Sequence, residues 1–392
     1  MLFRSPDTIN AMASLAGTYR DLGKYAEAEK LGMQVLDARN RTLGVEHPRT
    51  INAMGNLAAT YQNLKKYAEQ LEIQVLDASK IILGVEHPNT INAMENLAAT
   101  YYHLGKYAEA EKLGMQVLDA SNRILGVEHP NTNNAMANLA TTYGYLGKYM
   151  EAEKLHIQVL NTSTRILGVE HPDTITHMAC LAATYQRLGK YTEAEKLQIE
   201  VLNASTRILG VEHPDTITYM AQLADTYPNM GKYTEAEKLQ IQVLDARNRI
   251  LGVEHPHTIT CMARLAATYQ RIGKYTEAEK LQIQALDART RILGVEHPDT
   301  ISAMAHVAAT YQNLGKYTEA EKLQIQVLDA RNRILGVKHP HTINAMGQLA
   351  VTYQNLGKYR EAKKLVVQAQ ETSNKFPEAE YPYMNARDKG MK

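Results

Sequence analysis

One segment of the chain has the residue types of a phosphate-binding loop, in which glycine and lysine hold the phosphates of a nucleotide. Gly189 and Lys190 are adjacent, and Tyr191 follows them. A nucleotide loop also requires an earlier glycine and, after the lysine, a serine or threonine that binds magnesium. The segment has neither residue, so we interpret it as the turn between two helices. We predict no nucleotide, no other cofactor and no small-molecule substrate.

Histidine pairs are the candidates for metal ligands, because imidazole is a common ligand of zinc. Eight of the 14 histidines precede a proline, and two of these prolines have a histidine on both sides. The pairs are His255 with His257 and His339 with His341. Two ligands are too few for a structural zinc site, which has four. We predict that the first histidine caps a helix, that the second lies on its first turn, and that no metal binds.

The two cysteines are the candidate nucleophiles. Cys180 and Cys261 fall on predicted helices, and no basic residue is evident in the sequence to activate either thiol. They are separated by almost two repeats of the pattern described below, so we expect no disulfide between them. Free thiols favour a reducing compartment, with the cytoplasm as the expected location. Because no catalytic set is evident, we predict that the chain is not an enzyme.

The overall charge argues against two classes of partner. The 392 residues include 43 Lys and Arg and 42 Asp and Glu, a net charge of +1. A balanced chain has no strong field to attract nucleic acid or an anionic membrane, so we expect neither partner. No apolar run reaches the roughly 20 residues that span a bilayer. The aromatic residues are 23 Tyr, 2 Phe and no Trp, which indicates one structural position used many times.

A block of about 42 residues recurs along the whole chain, and its internal periodicity determines how every other motif is interpreted. A proline marks the start of each copy, at Pro6, Pro48, Pro88, Pro130, Pro172, Pro214, Pro256, Pro298 and Pro340. Every step is 42 residues except the second, which is 40. The chain therefore contains nine repeats.

Each repeat is predicted to form two helices, as the fifth copy illustrates. The first helix begins at Pro172, because proline suits the first helical position. It ends at Gly189, in the left-handed conformation that glycine favours. The second helix begins near Tyr191 and ends at Leu209-Gly210-Val211, which is typical of a Schellman motif. Neither amphipathic helix can bury its apolar face alone, so the repeats must stack to form a continuous core.

The spacing of Met178, Leu181, Ala182, Tyr185, Gly189, Tyr191 and Ala194 resembles the tetratricopeptide repeat signature. A 42-residue repeat with Leu-Gly-x-x-His-Pro between copies is similar to the kinesin light chain subtype. The same subtype forms arrays in NTPase-linked (NB-ARC/NACHT-type) sensor proteins. The resemblance implies an all-α, right-handed α-solenoid, or superhelix, of nine antiparallel helix pairs. We place it at residues 6–373 and expect 374–392 to be a disordered C-terminal tail.

Three departures from these relatives affect the interpretation. The chain starts inside its first repeat, with neither the heptad coiled coil of a kinesin light chain nor an upstream nucleotide-binding domain, so we expect a fragment of an interaction array. The late aromatic residue of the second helix is also missing, and we expect slightly looser packing there. The residues at this position are Gly32, Gly114, His156, Gln198, Gln240, Gln282 and Gln324.

Two repeats are irregular. Repeat two lacks two residues and has Lys65 where the other copies have glycine, which predicts a strained or shortened turn. In repeat six, Pro228 follows Tyr227 and is expected to kink or shorten the first helix. Each site is either a joint in the array or tolerated drift in a redundant sequence.

Differences among the repeats concentrate on one stripe of the first helix, whose positions are three or four residues apart. Family members bind peptides along this stripe, in the concave groove. The predicted groove residues are Asn56, Asn96, Asn138, Tyr145, Arg187, Gln222, Arg264, Arg271, His306, Asn313, Gln348 and Asn355. Amide side chains suit the backbone of an extended peptide, and the arginines favour an acidic segment. The alternative is a solvated stripe that drifts because nothing constrains it.

The sequence therefore favours a non-enzymatic scaffold that binds a protein or peptide segment. Two narrower functions remain open. The chain is either a detached ligand-sensing array of an NTPase-linked signalling protein or a cargo adaptor of the kinesin light chain kind.

Overall fold

The computed structural model describes residues 5–64 and 69–374, which form 18 α-helices, one 3-10 segment and no strand. The chain divides into two compact units, Met1–Ala204 and Ser205–Lys392. The first unit contains α1 (Pro6–Asp21), α2 (Tyr25–Leu43), α3 (Pro48–Asn63), α4 (Glu69–Leu83), α5 (Pro88–His103), α6 (Tyr107–Leu125), α7 (Pro130–Tyr145), α8 (Tyr149–Leu167) and α9 (Pro172–Arg187). Helix α10 (Tyr191–Leu209) contains the division between the units.

The second unit continues the same alternation of a shorter and a longer helix. Its helices are α11 (Pro214–Thr226), α12 (Tyr233–Leu251), α13 (Pro256–Arg271), α14 (Tyr275–Leu293), α15 (Pro298–Asn313), α16 (Tyr317–Leu335), α17 (Pro340–Asn355) and α18 (Tyr359–Asn374). Within each unit, consecutive helices pack against each other. The predicted all-helical fold of stacked pairs is confirmed, while the right-handed superhelix stays a prediction. None of the described helices is both long and apolar enough to cross a membrane.

The first helices begin at a His-Pro pair in every repeat except the first, which begins at Ser5-Pro6. In α9, Pro172 occupies the first turn, and His171 is the N-cap residue. The Nδ1 atom of His171 accepts a hydrogen bond from the backbone N–H of Asp173, at 3.2 Å. This bond satisfies one of the backbone donors that a helix start leaves unpaired. The prediction that the first histidine is a cap is therefore confirmed.

The two ends of each pair use glycine in different conformations. At the end of α9, Gly189 has a φ of 73°, and the N–H of Lys190 donates to the carbonyl of Tyr185 at 2.9 Å. This is the bond of a Schellman motif. At the end of α8, Gly168 has a φ of 88° but a ψ of 162°, which is extended rather than left-handed helical. Gly210, where the prediction was made, has a similar φ of 89°, and its own N–H donates to the carbonyl of Thr206 at 3.0 Å. The Schellman motif thus ends the first helix, and the Schellman prediction for the second helix is wrong.

Two glycines of repeat four provide a matched test of this backbone requirement. Gly147 follows α7 with a φ of 75°, whereas Gly144 lies inside α7. At both positions there is room for the Cβ of an alanine, because no atom of another residue would lie within 4 Å of it. We expect Gly147→Ala to lower the free energy of unfolding by about 1 kcal/mol, because alanine is strained at positive φ. Gly144→Ala should raise it by about 0.5 to 1 kcal/mol, because alanine favours a helix interior. Urea unfolding of both variants measures the difference, and the reverse order would contradict it.

The core lies where each first helix meets the second helix of its own repeat and the first helix of the next. In the first unit, Met94 and Leu97 of α5 pack with Val117 of α6 and Ala135 of α7. In the second unit, Met304, Val327 and Met346 occupy the matching places in α15, α16 and α17. Each repeat buries its apolar face only with the help of its neighbour, as expected of a stacked array.

Ion pairs also connect successive repeats. Lys148, at the turn of repeat four, lies 2.6 Å from Glu111 of α6 and 5.7 Å from the centre of the Tyr143 ring. Similar pairs join Lys106 to Glu69, Lys190 to Glu153, Lys274 to Glu237, Lys316 to Glu279 and Lys358 to Glu321. Because the lysines are exposed or half-exposed, solvent screens each pair and its contribution to stability is small. The lysine of the Gly-Lys-Tyr motif therefore links repeats.

The structure of repeat six agrees with the prediction made from its sequence. Helix α11 ends at Thr226, earlier than its counterparts, and Tyr227–Met230 form the 3-10 segment that contains Pro228. The prediction that Pro228 shortens the helix is confirmed. Lys65 lies outside the described residues, and so does the predicted disordered tail beyond Asn374.

Candidate functional site

The twelve predicted groove residues all lie on first helices or on their last turns. Ten are exposed, whereas Gln222 and Gln348 are half-buried. We call this exposed side of the first helices, within either unit, the first-helix face. Asn355 is partly committed within its own helix, because its Nδ2 donates to the carbonyl of Val351 at 2.9 Å. Arg187, Arg271 and Asn313 are exposed at the ends of α9, α13 and α15.

Cavities open on the first-helix face, and they share one construction. Each lies between consecutive first helices, with the second helix between them as its floor. Asn56 and Asn96 line two small cavities of about 20 and 50 Å³. Asn138 lines a cavity of about 280 Å³ in the first unit, and His306 and Gln348 line one of about 290 Å³ in the second. We call the two larger ones the N-terminal pocket and the C-terminal pocket.

The C-terminal pocket is polar and basic. It is formed by α15, α16 and α17, and its lining includes His306, Gln324, Arg331, Asn344 and Gln348. Arg331 donates a hydrogen bond from Nη1 to the carbonyl of His341 at 2.9 Å, which holds its guanidinium near the start of α17. Burial lowers the pKa of Arg331. A half-buried cation beside amide side chains favours a bound anion.

The positive charge around the C-terminal pocket also affects His306. Its pKa is lowered first by burial and then by the charges of Arg289 and Arg331. Arg289 and Arg331 occupy one position in successive second helices, and serine holds it at Ser79, Ser121, Ser163 and Ser205. Sequence analysis of the first helices alone missed Arg331. Comparing the second helices with each other would have found the change from serine to arginine.

Arg264 contributes less positive charge than the sequence suggested. Its guanidinium forms an ion pair with the carboxylate of Asp225, one repeat earlier on the same face. The pair offsets the charge of Arg264, so the basic part of the face in the second unit lies at Arg331 rather than at Arg264.

The N-terminal pocket has a different lining. It is formed by α5, α6 and α7, with Glu95, Tyr102, His103 and Asn138 at its wall and Gly114 at its floor. Burial raises the pKa of Glu95. Tyr102 contacts Tyr145 edge to face at 5.1 Å between ring centres, and Tyr145 stacks on Tyr107 at 5.1 Å. The lining of this pocket therefore contains both a carboxylate and an aromatic ring.

The position in the second helix where the family signature expects an aromatic residue differs in its packing from repeat to repeat. Gly114 lines the N-terminal pocket, but Leu139 packs closely against it, with Cδ1 3.2 Å from where a Cβ of residue 114 would lie, so looser packing at this residue stays a prediction. In the second unit the position is filled by glutamine, and Gln282 and Gln324 are 6% and 5% exposed. Loose packing is the wrong expectation for Gln282, whereas Gln324 is buried but also lines the C-terminal pocket.

Both glutamines belong to a hydrogen-bond network that repeats along the second unit. The hydroxyl of Thr310 donates to Oε1 of Gln282 at 2.6 Å and accepts from Nε2 of Gln270 at 2.6 Å. Gln312, Thr352 and Gln324 repeat the arrangement one repeat later. The network joins two first helices to the second helix between them.

His156 fills the same position in repeat four. It is 4% exposed, and burial followed by the nearby His177 lowers its pKa to about 4. Its Nδ1 atom has no hydrogen-bond partner among the described residues. The neighbouring His177 lies with Nδ1 2.8 Å from the hydroxyl of Ser163. A neutral imidazole is therefore the favoured form in the folded chain.

The remaining reactive residues do not form a shared site. Cys180 and Cys261 are free thiols, and burial raises the pKa of each. Contrary to expectation, Cys261 has a basic neighbour, because Nη1 of Arg247 lies 3.2 Å from its sulfur. Burial still outweighs this contact. Across residues 5–64 and 69–374, no three His, Cys, Asp or Glu side chains are grouped to hold a metal ion.

Comparison with known families matches the chain to the tetratricopeptide repeat. The matched segments are residues 7–71, 68–123, 89–152, 174–228, 229–291, 262–312 and 299–375, with a further tetratricopeptide match at 134–173. The search of curated proteins found no match.

Solved structures give consistent results. A kinesin light chain-like protein of Podosopora anserina, with nearly identical TPR-like repeats, is 30% identical over 54% of this chain and 100% of its own, with a TM-score of 0.49. The apo quorum sensor NprR of B. thuringiensis has a TM-score of 0.61 at 14% identity, over 94% of this chain and 99% of its own.

A third structure is a Signal Transduction ATPase with Numerous Domains from Pyrococcus horikoshii, which carries a tetratricopeptide repeat sensor. It has a TM-score of 0.59 at 15% identity, over 89% of this chain and 53% of its own. Its similarity and that of the quorum sensor show the repeat fold alone. The family matches cover most of the chain and establish that it belongs to the tetratricopeptide repeat family, with a repeat of 42 residues in all steps but one.

Proposed function

We propose that this chain is a non-enzymatic scaffold of the cytoplasm that binds a protein or peptide segment along its first-helix face. The proposal rests mainly on the C-terminal pocket, where Arg331, His306 and Gln348 line a cavity of about 290 Å³. Its polar groups suit a peptide, whose backbone and side chains can replace water as hydrogen-bond partners.

An acidic side chain of the partner fits this pocket best. The guanidinium of Arg331 is half-buried, so its attraction for a carboxylate is screened less than at an open surface. Burial is the main cause of the lowered pKa of His306, and a carboxylate beside Arg331 would offset the second cause, the positive charges of Arg289 and Arg331. The predicted acidic segment is therefore retained, but we assign it to the C-terminal pocket rather than to Arg264.

Replacing Arg331 with serine tests the proposal, because serine occupies this position in five other repeats. We expect Arg331→Ser to weaken binding of nine-residue peptides that contain Asp or Glu by about tenfold, the effect of losing one charge-assisted hydrogen bond. Fluorescence anisotropy with peptides selected from a random library on the wild-type chain measures this loss.

Arg333→Ser is the matched control, because it removes the same charge from an exposed arginine that pairs with Glu296. It should leave the affinity unchanged. Equal affinities for wild type and Arg331→Ser, with circular dichroism unchanged, would contradict the acidic assignment. Failure of the wild-type chain to select any peptide would contradict the scaffold function itself.

The two narrower functions use the same face and differ in what the chain is attached to. An upstream phosphate-loop domain in the gene would support a ligand-sensing array of an NTPase-linked protein. An upstream heptad coiled coil would support a cargo adaptor of the kinesin light chain kind.

A further inference from the structure

Two residues of the N-terminal pocket, Glu95 and Tyr102, are unlike every counterpart in the other repeats, and a third, Gly114, has the same residue only at Gly32. Glu95 stands where the other copies have alanine or glycine, and is the only carboxylate at this position. Tyr102 stands where most copies have glutamine, and is the only aromatic residue there. Gly114 stands where four later copies have glutamine. All three line the same cavity of about 280 Å³.

The carboxylate of Glu95 has no counter-charge. Among the described residues, no hydrogen bond or ion pair to Glu95 is found, and burial raises its pKa. A half-buried carboxylate without a partner is costly, and a cation brought to it recovers part of that cost. The other titratable group at the wall is His103, which is exposed at the end of α5.

The aromatic side chains add a second preference for positive charge. Tyr102 borders the cavity, and its contacts with Tyr145 and Tyr107 hold its ring in place. The face of a tyrosine ring attracts an ammonium or guanidinium group. The floor beneath is formed by small and aliphatic residues that suit the methylene stem of a long side chain: Ala98, Ala110, Val117, Ala135 and Leu139.

We propose that the N-terminal pocket binds the side chain of a lysine or arginine of a peptide partner, with Glu95 as its counter-ion, Tyr102 against its charged group and Gly114 providing the space for its stem. This inference rests on the proposed function, because it assumes that peptides bind along the first-helix face. It gives the two pockets opposite charge preferences, one for a basic and one for an acidic side chain.

The repeats themselves supply variants that the fold tolerates. Gly114→Gln introduces the residue of Gln282 and Gln324 and fills the floor; a Cβ there would lie 3.2 Å from Cδ1 of Leu139, which has to shift slightly. Glu95→Ala introduces the residue found at this position in most repeats, and Tyr102→Gln that of Gln270 and Gln312. Glu109→Ala is the charge-matched control, because Glu109 is exposed in α6 and does not line the pocket.

Selection from a library of random nine-residue peptides, read by sequencing, tests the proposal. On the wild-type chain we expect Lys or Arg to be enriched about tenfold at one position of a group of selected peptides. Glu95→Ala, Tyr102→Gln and Gly114→Gln should each reduce that enrichment severalfold, whereas Glu109→Ala should preserve it. Circular dichroism of each variant checks that the array remains helical.

Three results would overturn the inference. If an apolar residue is enriched, and its enrichment is lost in Gly114→Gln but not in Glu95→Ala, then the pocket binds an uncharged side chain. Basic enrichment that survives Glu95→Ala would place the cation elsewhere. If peptide selection depends on Arg331 but no peptide position depends on Glu95 or Gly114, the cation pocket is refuted and the scaffold function is unaffected. If no peptide is selected at all, both proposals are refuted.

Discussion

Acidification from pH 7 to pH 4 is expected to destabilise the wild-type first unit by about 3 kcal/mol more than a His156→Gln variant. His156 is buried in α8, and its pKa is lowered to about 4. An unfolded histidine has a pKa of about 6.5. Above that value both states are neutral, so His156 has no effect on the pH dependence. Between about 6.5 and 4 only the unfolded state takes up the proton, so stability falls throughout this window.

Neighbouring groups influence the same window. His177 of α9 faces His156, and burial lowers its pKa while Asp173 opposes the shift. Its contribution has the same sign and persists in the variant, so the difference between the two proteins isolates His156. Glutamine is a suitable replacement, because the matching position in four later repeats is glutamine.

The measurement must be local, because a repeat array can open in parts rather than all at once. Amide hydrogen exchange of α8 and α9, corrected for intrinsic rates, gives the opening free energy at each pH. His171→Gln is a control, because His171 is a half-exposed cap rather than a buried residue. Parallel pH profiles for wild type and His156→Gln would show that His156 titrates normally in the folded chain.

The helix pairs were predictable from sequence because their signals are local. Proline fixes the start of each first helix, as at Pro172, and glycine permits the positive φ that ends it, as at Gly189. Each preference is weak in a single repeat, but its recurrence in nine repeats made the helix boundaries predictable. The Schellman assignment of Gly210 failed because sequence spacing reports that a glycine is needed but not which positive-φ conformation it adopts.

The candidate site was less predictable, because it depends on contacts between repeats. Variation among the first helices identified Asn138 and His306, which line the two larger pockets. The same criterion favoured Arg264, whose charge is offset by Asp225 from the preceding repeat. It missed Arg331 because that residue comes from a second helix. The ion-pair partner of a charged residue can lie in the preceding repeat, about 40 positions away in the sequence. Comparing equivalent positions among repeats does not show which residues from neighbouring repeats are in contact.

The buried Gln–Thr–Gln network is the clearest product of such contacts, and its loss is expected to be costly. Thr310 is fully buried, and its hydroxyl connects Gln270 to Gln282. Thr310→Val preserves the shape but removes the hydroxyl, leaving Oε1 of the buried Gln282 without its donor. We expect a loss of about 3 kcal/mol in unfolding free energy, because each stranded buried polar group costs about 1 to 3 kcal/mol.

A second substitution separates the hydrogen bond from packing. In Thr310→Val with Gln282→Leu, both partners are apolar, so no buried acceptor is stranded and much of the stability should return. The double-mutant cycle should give a coupling of about 2 kcal/mol, as measured by urea unfolding or by hydrogen exchange of α14 and α15. Additive effects would mean that the 2.6 Å contact between Thr310 and Gln282 does not stabilise the fold.

The preceding repeat provides the control, since there the network is already broken. Pro228 stands where Gln270 and Gln312 donate, and proline has no amide side chain to offer. Oε1 of Gln240 is correspondingly buried without a partner in the described part of the chain. Thr268→Val, the matching substitution, should therefore cost less than about 1 kcal/mol, because it breaks no such bond. Equal losses at Thr268 and Thr310 would assign the effect to packing, and the network would then have no special part in joining the repeats.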